Sequence, residues 1–427
     1  MLDAKLEVNK KNGFSFEIIS EYENKKTKQI TRAGIIHTPH GDIKTPAFIP
    51  VATLGTLKAL TPEMAEGLGS QALLANAYHL NLRPGPDVID KAGGLSKYMN
   101  WNHPTFTDSG GFQVMSLGSG FKKVIEMDPQ KIASQSDFEA ADDEKVANGK
   151  KRIAFVDEDG VTFKSHLSGE ELRFTPEVSM EIQFKIAADI IFAFDELTTL
   201  HNTRKYQEQS VARTFRWAKR CIDEHEKLKN SHPEKPYQAL FGVIQGANHE
   251  DLRRKAAGQI GPLPFDGFGI GGALEKSKLS EIIGWVTDEL PKNLPRHLLG
   301  ISEIDDLFAG VNAGIDTFDC VSPARIGRNG AVYTPYGRFN IKRSKYLEDF
   351  GPIFHDCKCY TCTNFSRSYV CHLIRAKEML GSTLATIHNE HFIVKLISDC
   401  RDAIINKDLE VFTDSFLHQY LGKRVSQ

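Results

Sequence analysis

Three aspartates end short apolar runs, and their type and placement make them the first candidates for chemistry. Asp108 follows residues 105–107, Asp195 follows residues 190–194, and Asp319 follows residues 317–318. An aspartate in such a place can simply cap the next helix. Two carboxylates in one cleft can instead divide the work, one as an ionised nucleophile and the other as a general acid and base. That division is the chemistry of retaining glycosyl transfer, in which a covalent sugar ester forms and is then resolved.

Neutral polar groups follow two further apolar runs. Gln245 ends one run, and the glycine pair 271–272 ends the next. Their donors and acceptors suit a planar heterocycle, on which Phe112 could stack. The alternative for Phe112 is packing in the hydrophobic core.

Three of the seven cysteines crowd into six residues, at Cys357, Cys359 and Cys362. This spacing is typical of a zinc site, and four protein ligands would make that site closed and structural. The candidates for the fourth ligand lie downstream and are Cys371, His372, His388 and His391. A reactive cysteine cluster is the alternative.

Charge is unevenly distributed along the 427 residues. The formal net charge of −2 argues against a protein that coats nucleic acid through bulk charge. Residues 321–427 carry a balance of +5, and the rest of the chain carries −7. The basic side chains concentrated there are Arg325, Arg328, Arg338, Lys342, Arg343 and Lys345. They could meet phosphates, or they could form an ordinary solvated surface.

Apolar runs that alternate with helical patterns must position these residues. Such continuous runs read as strands buried on both faces, as in parallel sheets. The runs lie at 72–76, 105–107, 190–194, 240–244, 268–270, 297–301 and 317–318. Helices are predicted between them at 176–188, 205–226 and 279–290, the first capped by Thr175. Chemistry at strand ends spread over so much sequence predicts an α/β fold, a (β/α)8 TIM barrel, with a doubly wound sheet as the alternative.

The barrel is predicted to span 14–345 and a C-terminal zinc-binding subdomain with closing helices to span 346–427. Residues 121–160 hold 7 Lys+Arg and 10 Asp+Glu and are predicted to form a polar surface insertion.

The sequence contains no apolar stretch of membrane-spanning length, and its first residues are charged rather than signal-like. A cytoplasmic location is therefore expected.

Seven sequence signatures together resemble the tRNA-guanine transglycosylases of the bacterial and eukaryotic wobble-position type. They are TDSGGFQ (107–113), FDE (194–196), VIQG (243–246), GIGG (269–272), FDCVSPARIGRNG (318–330), CKCYTC (357–362) and HN (388–389). The resemblance runs in order over nearly the whole chain. It implies a barrel with a zinc subdomain that exchanges the wobble guanine of tRNA for a 7-deazaguanine.

The resemblance also implies a role for each site residue. Asp319 would be the nucleophile on the ribose anomeric carbon, and Asp108 the general acid and base. The substrate-binding set would be Asp195, Gln245, the Gly272 backbone, Ser109 and the stacking Phe112. Arg325 and Arg328 would contact the anticodon-loop RNA, with a salt-bridge role as the alternative.

The implied cofactor is one structural Zn²⁺ on Cys357, Cys359, Cys362 and His388. The implied partners are a tRNA with a wobble guanine and a 7-deazaguanine base, either 7-aminomethyl-7-deazaguanine or queuine. A homodimer is expected, because one tRNA needs more basic surface than +5 on one subunit supplies.

The sequence departs from the family pattern in three places. Residues 273–278 read ALEKSK instead of a small-residue loop, and Glu275 is hypothesised to face a cationic aminomethyl group on the incoming base. Ala77 stands where threonine is usual, and Gly300 is followed by Ile-Ser-Glu.

Two other functions are considered. A retaining glycoside hydrolase on a barrel would explain the paired carboxylates but not the zinc ligands or the arginines. A non-catalytic accessory subunit of a transglycosylase would keep the zinc ligands and lack the catalytic aspartates, whereas Asp108 and Asp319 are both present.

Overall fold

The computed structural model describes residues 13–111, 154–165, 167–272 and 274–422. The strands there are β1 (Ser15–Glu23), β2 (Ile30–Thr38), β3 (Gly41–Thr45), β4 (Ala47–Pro50), β5 (Leu73–Ala75), β6 (Thr105–Thr107), β7 (Ala154–Val156), β8 (Val161–Lys164), β9 (Glu171–Phe174), β10 (Ile190–Phe192), β11 (Ala239–Ile244), β12 (Gly267–Ile270), β13 (Arg296–Leu298), β14 (Thr317–Cys320), β15 (Ala331–Thr334) and β16 (Gly337–Asn340).

Helices follow most strands of the alternating part of the chain. They are α1 (Pro62–Gly67), α2 (Ala77–Leu82), α3 (Pro86–Lys91), α4 (Leu95–Met99), α5 (Pro176–Ile186), α6 (Arg204–Ser231), α7 (Glu250–Ile260), α8 (Leu279–Thr287), α9 (Ile304–Asn312), α10 (Ser322–Arg328), α11 (Tyr360–Asn364), α12 (Arg367–Ala376), α13 (Met379–Asn406) and α14 (Leu409–Gly422). Within the described ranges, no helix is long and apolar enough to cross a membrane.

One sheet of the described residues has eight strands in the order β4-β14-β13-β12-β11-β10-β6-β5. Its strands are short and almost wholly buried. Strand β11 pairs in parallel with β10 and β12, and β14 pairs in parallel with β13 and β4. A parallel bridge between Val51 and Leu74 joins the two end strands, which closes the sheet. The (β/α)8 barrel predicted from the alternating pattern is confirmed.

The chain divides into two compact units. The first unit comprises residues 1–75, 92–106 and 292–427, of which 1–12 and 423–427 lie outside the described residues. It contains the antiparallel sheet β1-β2-β3, and β14 pairs with both β13 and β4. Helix α13 crosses this unit, and its Arg401 donates to the Gly34 carbonyl oxygen at 2.7 Å. The predicted boundary at 345/346 stays a prediction.

The second unit comprises residues 76–91 and 107–291 and contains the in-register strands β10, β11 and β12. Helix α5 begins as predicted, because the Thr175 side chain accepts a hydrogen bond from the Val178 N–H. The buried Gln183 then ties α5 to β10 by donating to the Phe192 carbonyl oxygen at 2.9 Å.

The predicted polar insertion at 121–160 lies outside the described residues up to residue 153. Its last part contains β7, which pairs antiparallel with β8, and β8 pairs antiparallel with β9. Strand β8 is therefore the centre of this small sheet.

Candidate active site and metal centre

Asp195 lies at the carboxyl end of β10 and is the centre of a buried polar cluster in the second unit. Its Oδ2 accepts a hydrogen bond from Gln245 Nε2 at 2.6 Å. Its Oδ1 accepts one from Ser109 Oγ at 3.4 Å. Three residues that the sequence assigned to substrate binding, from the ends of three strands, are therefore in contact.

Burial raises the pKa of Asp195 to about 6, against hydrogen bonds from Gln245 and Ser109 that favour the ionised form. The adjacent Glu196 is also buried, but it is paired with Arg213 and accepts a hydrogen bond from Tyr206 at 2.6 Å. The two neighbouring carboxylates thus have different partners, and Asp195 is the one that faces the neutral amide of Gln245.

Asp195→Asn should remove a pH dependence of stability. Between about pH 4 and pH 6 the folded protein keeps the Asp195 proton, whereas the unfolded chain has lost it. The wild-type free energy of unfolding should therefore fall by about 2 kcal/mol as the pH rises from about 4.5 to 7.5. Urea unfolding of both proteins from pH 4.5 to 7.5 measures the difference. The exposed control Asp223→Asn should keep the wild-type slope; an unchanged slope in Asp195→Asn would contradict the assignment.

Gly272 follows β12 and closes the cluster from one side. Its φ is +99°, and a Cβ placed there would lie 2.5 Å from Gln245 Oε1 and 3.2 Å from Arg253 Nη2. A larger residue would therefore be strained and would collide with Gln245. The close approach of the backbone explains why glycine occupies this position.

Arg253 on α7 is a supporting residue that the sequence did not reveal. It is fully buried, and its guanidinium donates to the carbonyl oxygens of Ala247, Ile244 and Gly271 at 2.8–2.9 Å. Burial lowers its pKa to about 9, so it stays charged at neutral pH. Among the described residues no carboxylate offsets this burial. It therefore fixes the backbone just beyond β11 and β12.

Asp108 ends β6 and lies at the start of α2. Its Oδ2 accepts a hydrogen bond from the Asn76 side-chain amide, and its Oδ1 accepts one from the Ala77 N–H at 2.9 Å. The second donor is a backbone group, so alanine at position 77 in place of the usual threonine leaves this contact in place. The structure thus fixes the orientation of the Asp108 carboxylate.

Asp319 lies on β14 in the first unit and is mostly buried. Its Oδ1 accepts hydrogen bonds from His297 Nε2 at 3.0 Å and from the Gly300 N–H at 3.0 Å. His297 was not predicted from the sequence, because it belongs to the apolar run that predicts this strand. The only indication of a functional role was the presence of a histidine in a run otherwise made of apolar residues.

Arg325 and Arg328 lie on α10, which begins three residues after Asp319. Arg325 is exposed, and its guanidinium donates to Ser322 Oγ at 3.2 Å. Arg328 is half-buried, and it lies near the fully buried carboxylate of Glu390. Burial lowers the pKa of Arg328 and raises that of Glu390 to about 8.

Asn389 on α13 contacts both α10, the helix that carries Arg325 and Arg328, and strand β15. Its side-chain amide donates to the carbonyl oxygens of Pro323 at 3.1 Å and Ala331 at 2.9 Å, and it accepts from the Tyr333 N–H at 3.1 Å. Gly327 allows the close approach, because a Cβ there would lie 2.9 Å from the Ala385 carbonyl oxygen. One side chain therefore fixes α10 and β15 against α13.

A cluster of Cys357, Cys359, Cys362 and His388 could hold a metal ion, since its ligand atoms all lie within 4.8 Å of one another. The three sulfur atoms lie 3.7, 3.6 and 3.3 Å from His388 Nδ1. A tetrahedral Zn²⁺ with ordinary bond lengths would separate such S and N ligands by about 3.5 Å. The donor set and its spacing fit zinc.

The surroundings of His388 suit it as a ligand. Its Nε2 donates to the Tyr333 carbonyl oxygen at 2.7 Å, which leaves Nδ1 free of its proton and directed at the sulfur atoms. The other candidates for the fourth position lie elsewhere: Cys371 contacts the Arg343 carbonyl oxygen, and His372 is exposed. His391 Nδ1 is buried, but the residue is not in the cluster.

Phe112, the predicted stacking residue, lies outside the described residues. So does Ala273, the first residue of the 273–278 loop that differs from the family pattern. In that loop the Glu275 N–H donates to Asn248 Oδ1 at 3.0 Å, and Asn248 Nδ2 donates to Glu275 Oε2 at 3.2 Å. This reciprocal pair joins the loop after β12 to the loop after β11.

Comparison with known proteins matches both units. The family model described as "Queuine tRNA-ribosyltransferase" matches residues 27–150 and 145–422. The queuine tRNA-ribosyltransferase of Lysinibacillus sphaericus is 43% identical over 392 residues, covering 91% of this chain and 92% of that protein. That of Caldanaerobacter subterraneus is 42% identical, covering 94% and 97%, and that of Bacillus subtilis is 41% identical, covering 93% and 94%. The chain therefore belongs to the queuine tRNA-ribosyltransferase family of enzymes.

Proposed function

We propose that this protein is a tRNA-guanine transglycosylase that exchanges the wobble guanine of tRNA for a 7-deazaguanine through a covalent aspartyl-ribosyl intermediate. The observation that carries the proposal is the Asp319 carboxylate, which two N–H donors hold in place at a strand end while its side chain keeps some solvent exposure. Relatives more than 40% identical over most of the chain are queuine tRNA-ribosyltransferases, which supports the same reaction.

The proposed reaction has two displacements at one carbon. An oxygen of Asp319 attacks the ribose anomeric carbon, and the bond from that carbon to the guanine nitrogen breaks. The electron pair stays with the base, which takes a proton from Asp108. The incoming base then returns its ring N–H proton to Asp108 and attacks the same carbon, which releases the Asp319 carboxylate. Two inversions retain the configuration of the ribose.

Base recognition is assigned to the cluster around Asp195. The N–H groups on one edge of guanine need an acceptor, which the ionised Asp195 carboxylate supplies. The carbonyl oxygen of the base needs donors, which the Gln245 amide and the Gly272 N–H supply. Ser109 orients Asp195 from the opposite side of its carboxylate. Stacking of Phe112 on the base stays a prediction.

RNA binding is assigned to Arg325 and Arg328, at the basic end of the chain. Arg325 is exposed, and its helix is held by Asn389, so a rigid helix presents its positive charge to solvent.

The expected homodimer stays a prediction. It is supported by aromatic side chains exposed on the metal-bearing segment, at Phe350, Tyr360 and Tyr369.

We assign Zn²⁺ to the cluster of Cys357, Cys359, Cys362 and His388. All four ligands come from the protein, so the ion would tie the 357–362 segment to α13 and would leave no open position for substrate. Its role is therefore structural. The chemistry of the exchange is left to the aspartates.

Exchange of labelled guanine into tRNA tests the proposed function. Protein, unmodified tRNA and radiolabelled guanine should give labelled full-length tRNA, and denaturation should trap a tRNA–protein adduct. A glycoside hydrolase would release guanine and leave an abasic site without incorporation. An accessory subunit would give neither product alone. Absence of both incorporation and adduct with the wild-type protein would refute the proposal.

The identity of the incoming base is assigned to the loop that contains Glu275. Glu275→Gln should lower exchange of an aminomethyl base about fivefold more than exchange of a neutral 7-deazaguanine, because it removes a partly exposed negative charge. Lys278→Gln is the matched variant, since Lys278 Nζ lies 3.4 Å from Glu275 Oε2 and offsets that charge. It should change the preference in the opposite direction. Steady-state rates with both bases measure this, and equal losses for both would exclude a role for the Glu275 charge.

A further inference from the structure

The two oxygens of the Asp319 carboxylate have different surroundings. Oδ1 accepts both hydrogen bonds, from His297 Nε2 and from the Gly300 N–H, each at 3.0 Å. Among the described residues, Oδ2 has no hydrogen-bond partner, and the side chain is 12% exposed. A carboxylate that is free to rotate would present either oxygen, whereas this one is fixed by donors on a single side.

The contacts of His297 determine which of its nitrogens carries the proton. An ionised carboxylate can only accept, so Nε2 must hold a hydrogen in order to bond to Asp319. On the other side of the ring, Nδ1 lies 2.8 Å from Thr317 Oγ1. In the neutral imidazole Nδ1 is then the acceptor, and the Thr317 hydroxyl donates to it. Thr317 thus sets the tautomer that donates to Asp319.

His297 is held rigidly in this arrangement. It lies on β13, has no exposed surface, and its ring centroid is 5.7 Å from that of Phe106. Its strand pairs with β14 through the register partners His297 and Thr317. The donor therefore stands on a strand next to the one that carries Asp319, where its position cannot drift.

We propose that His297 is a positioning residue that makes Oδ2 the attacking oxygen of Asp319 and sets the balance between the free carboxylate and its ribosyl ester. The inference rests on the proposed function. When Oδ2 forms the bond to the anomeric carbon, the bond to the base breaks and its electron pair leaves with the base. Oδ1 then becomes the carbonyl oxygen of the ester and still faces the two N–H donors.

Hydrogen bonds to a full carboxylate are stronger than those to a neutral ester carbonyl. The His297 donor therefore stabilises Asp319 more before attack and after release than it stabilises the intermediate. Loss of this donor should make Asp319 a better nucleophile and a poorer leaving group. The covalent intermediate should then accumulate while exchange slows, because its resolution becomes the slow step.

A pair of amide variants tests this inference. His297→Gln keeps an N–H near the position of Nε2, whereas the shorter side chain of His297→Asn can face Thr317 but cannot reach Asp319. At a fixed concentration of guanine, the ratio of trapped adduct to unreacted tRNA should rise about tenfold in His297→Asn and should stay within about twofold of wild type in His297→Gln. Exchange should slow only in His297→Asn.

A second buried histidine serves as the matched control. His225 lies on α6, and its Nε2 contacts the Gln238 carbonyl oxygen at 3.0 Å. His225→Asn should leave the adduct ratio unchanged even if it lowers the melting temperature. An unchanged or lower adduct ratio in His297→Asn, or the same rise in His297→Gln, would overturn the inference. Failure of the wild-type protein to form any adduct would instead refute the proposed function on which it rests.

Discussion

Replacing Asp319 by Asn should lower base exchange by about 10⁴-fold or more and should abolish the trapped tRNA–protein adduct. The amide keeps the volume of the carboxylate, but its oxygen is a weak nucleophile and carries no charge to offset the developing positive charge on the ribose. Single-turnover incorporation of labelled guanine gives the rate, and denaturing gel electrophoresis gives the adduct.

The control for this result is Asp305→Asn in α9, which removes an exposed carboxylate from the same unit. It should exchange guanine at the wild-type rate. Asp319→Asn should still bind tRNA, because Arg325 and Arg328 are unchanged. An adduct that persisted in Asp319→Asn would transfer the role of nucleophile to another carboxylate, with Asp108 the next to be replaced.

Removal of a metal ligand should have the largest effect on stability. Cys362→Ser and His388→Ala should each lose the metal and lower the free energy of unfolding by about 5 kcal/mol or more, with a fall in melting temperature of about 10 °C or more. The reason is that the ion replaces packing that a short helix such as α11 cannot supply. Elemental analysis gives the metal content, and thermal unfolding gives the stability.

Cys371→Ser is the matched control, because Cys371 is a buried cysteine outside the cluster. It should retain one zinc per chain. The zinc variants should also bind tRNA more weakly, since His388 precedes Asn389, which holds the helix that carries Arg325. Retention of stoichiometric zinc by both ligand variants, or its loss in Cys371→Ser, would disprove the assigned ligand set.

The barrel strands could be predicted from the sequence where burial on both faces produced a continuous apolar run. Such runs mark β5, β6 and β10 to β14. Strand β4 was missed, because its four residues lie between Pro46 and a terminal Pro50 and no chemical signature follows them. The antiparallel strands β1, β3 and β16 were also missed, since about half of their side chains are exposed and their apolar runs are broken.

The sequence identifies those site residues that are of a chemically reactive type and stand at the end of a predicted strand. Asp108, Asp195 and Asp319 meet both conditions. Arg253 was not predicted, because nothing in the sequence distinguishes it from the neighbouring Arg254, which is half-buried and paired with Glu250. Burial and partners distant in sequence give Arg253 its role, and these arise only when the chain has folded. Residue type and spacing likewise left four possible fourth ligands, and only the resemblance to the family singled out His388.

The pairing of β4 with β14 has a consequence for how the protein is made. Ala47 pairs with Thr317, about 270 residues later in the chain. At ordinary ribosomal rates, the apolar β4 must wait tens of seconds for this neighbour during synthesis. The nascent chain therefore exposes one unpaired, aggregation-prone edge of β4 for most of its translation, even after β5 has emerged. Cellular yield should accordingly depend on chaperones that shield the amino-terminal segment until residues near 320 have emerged.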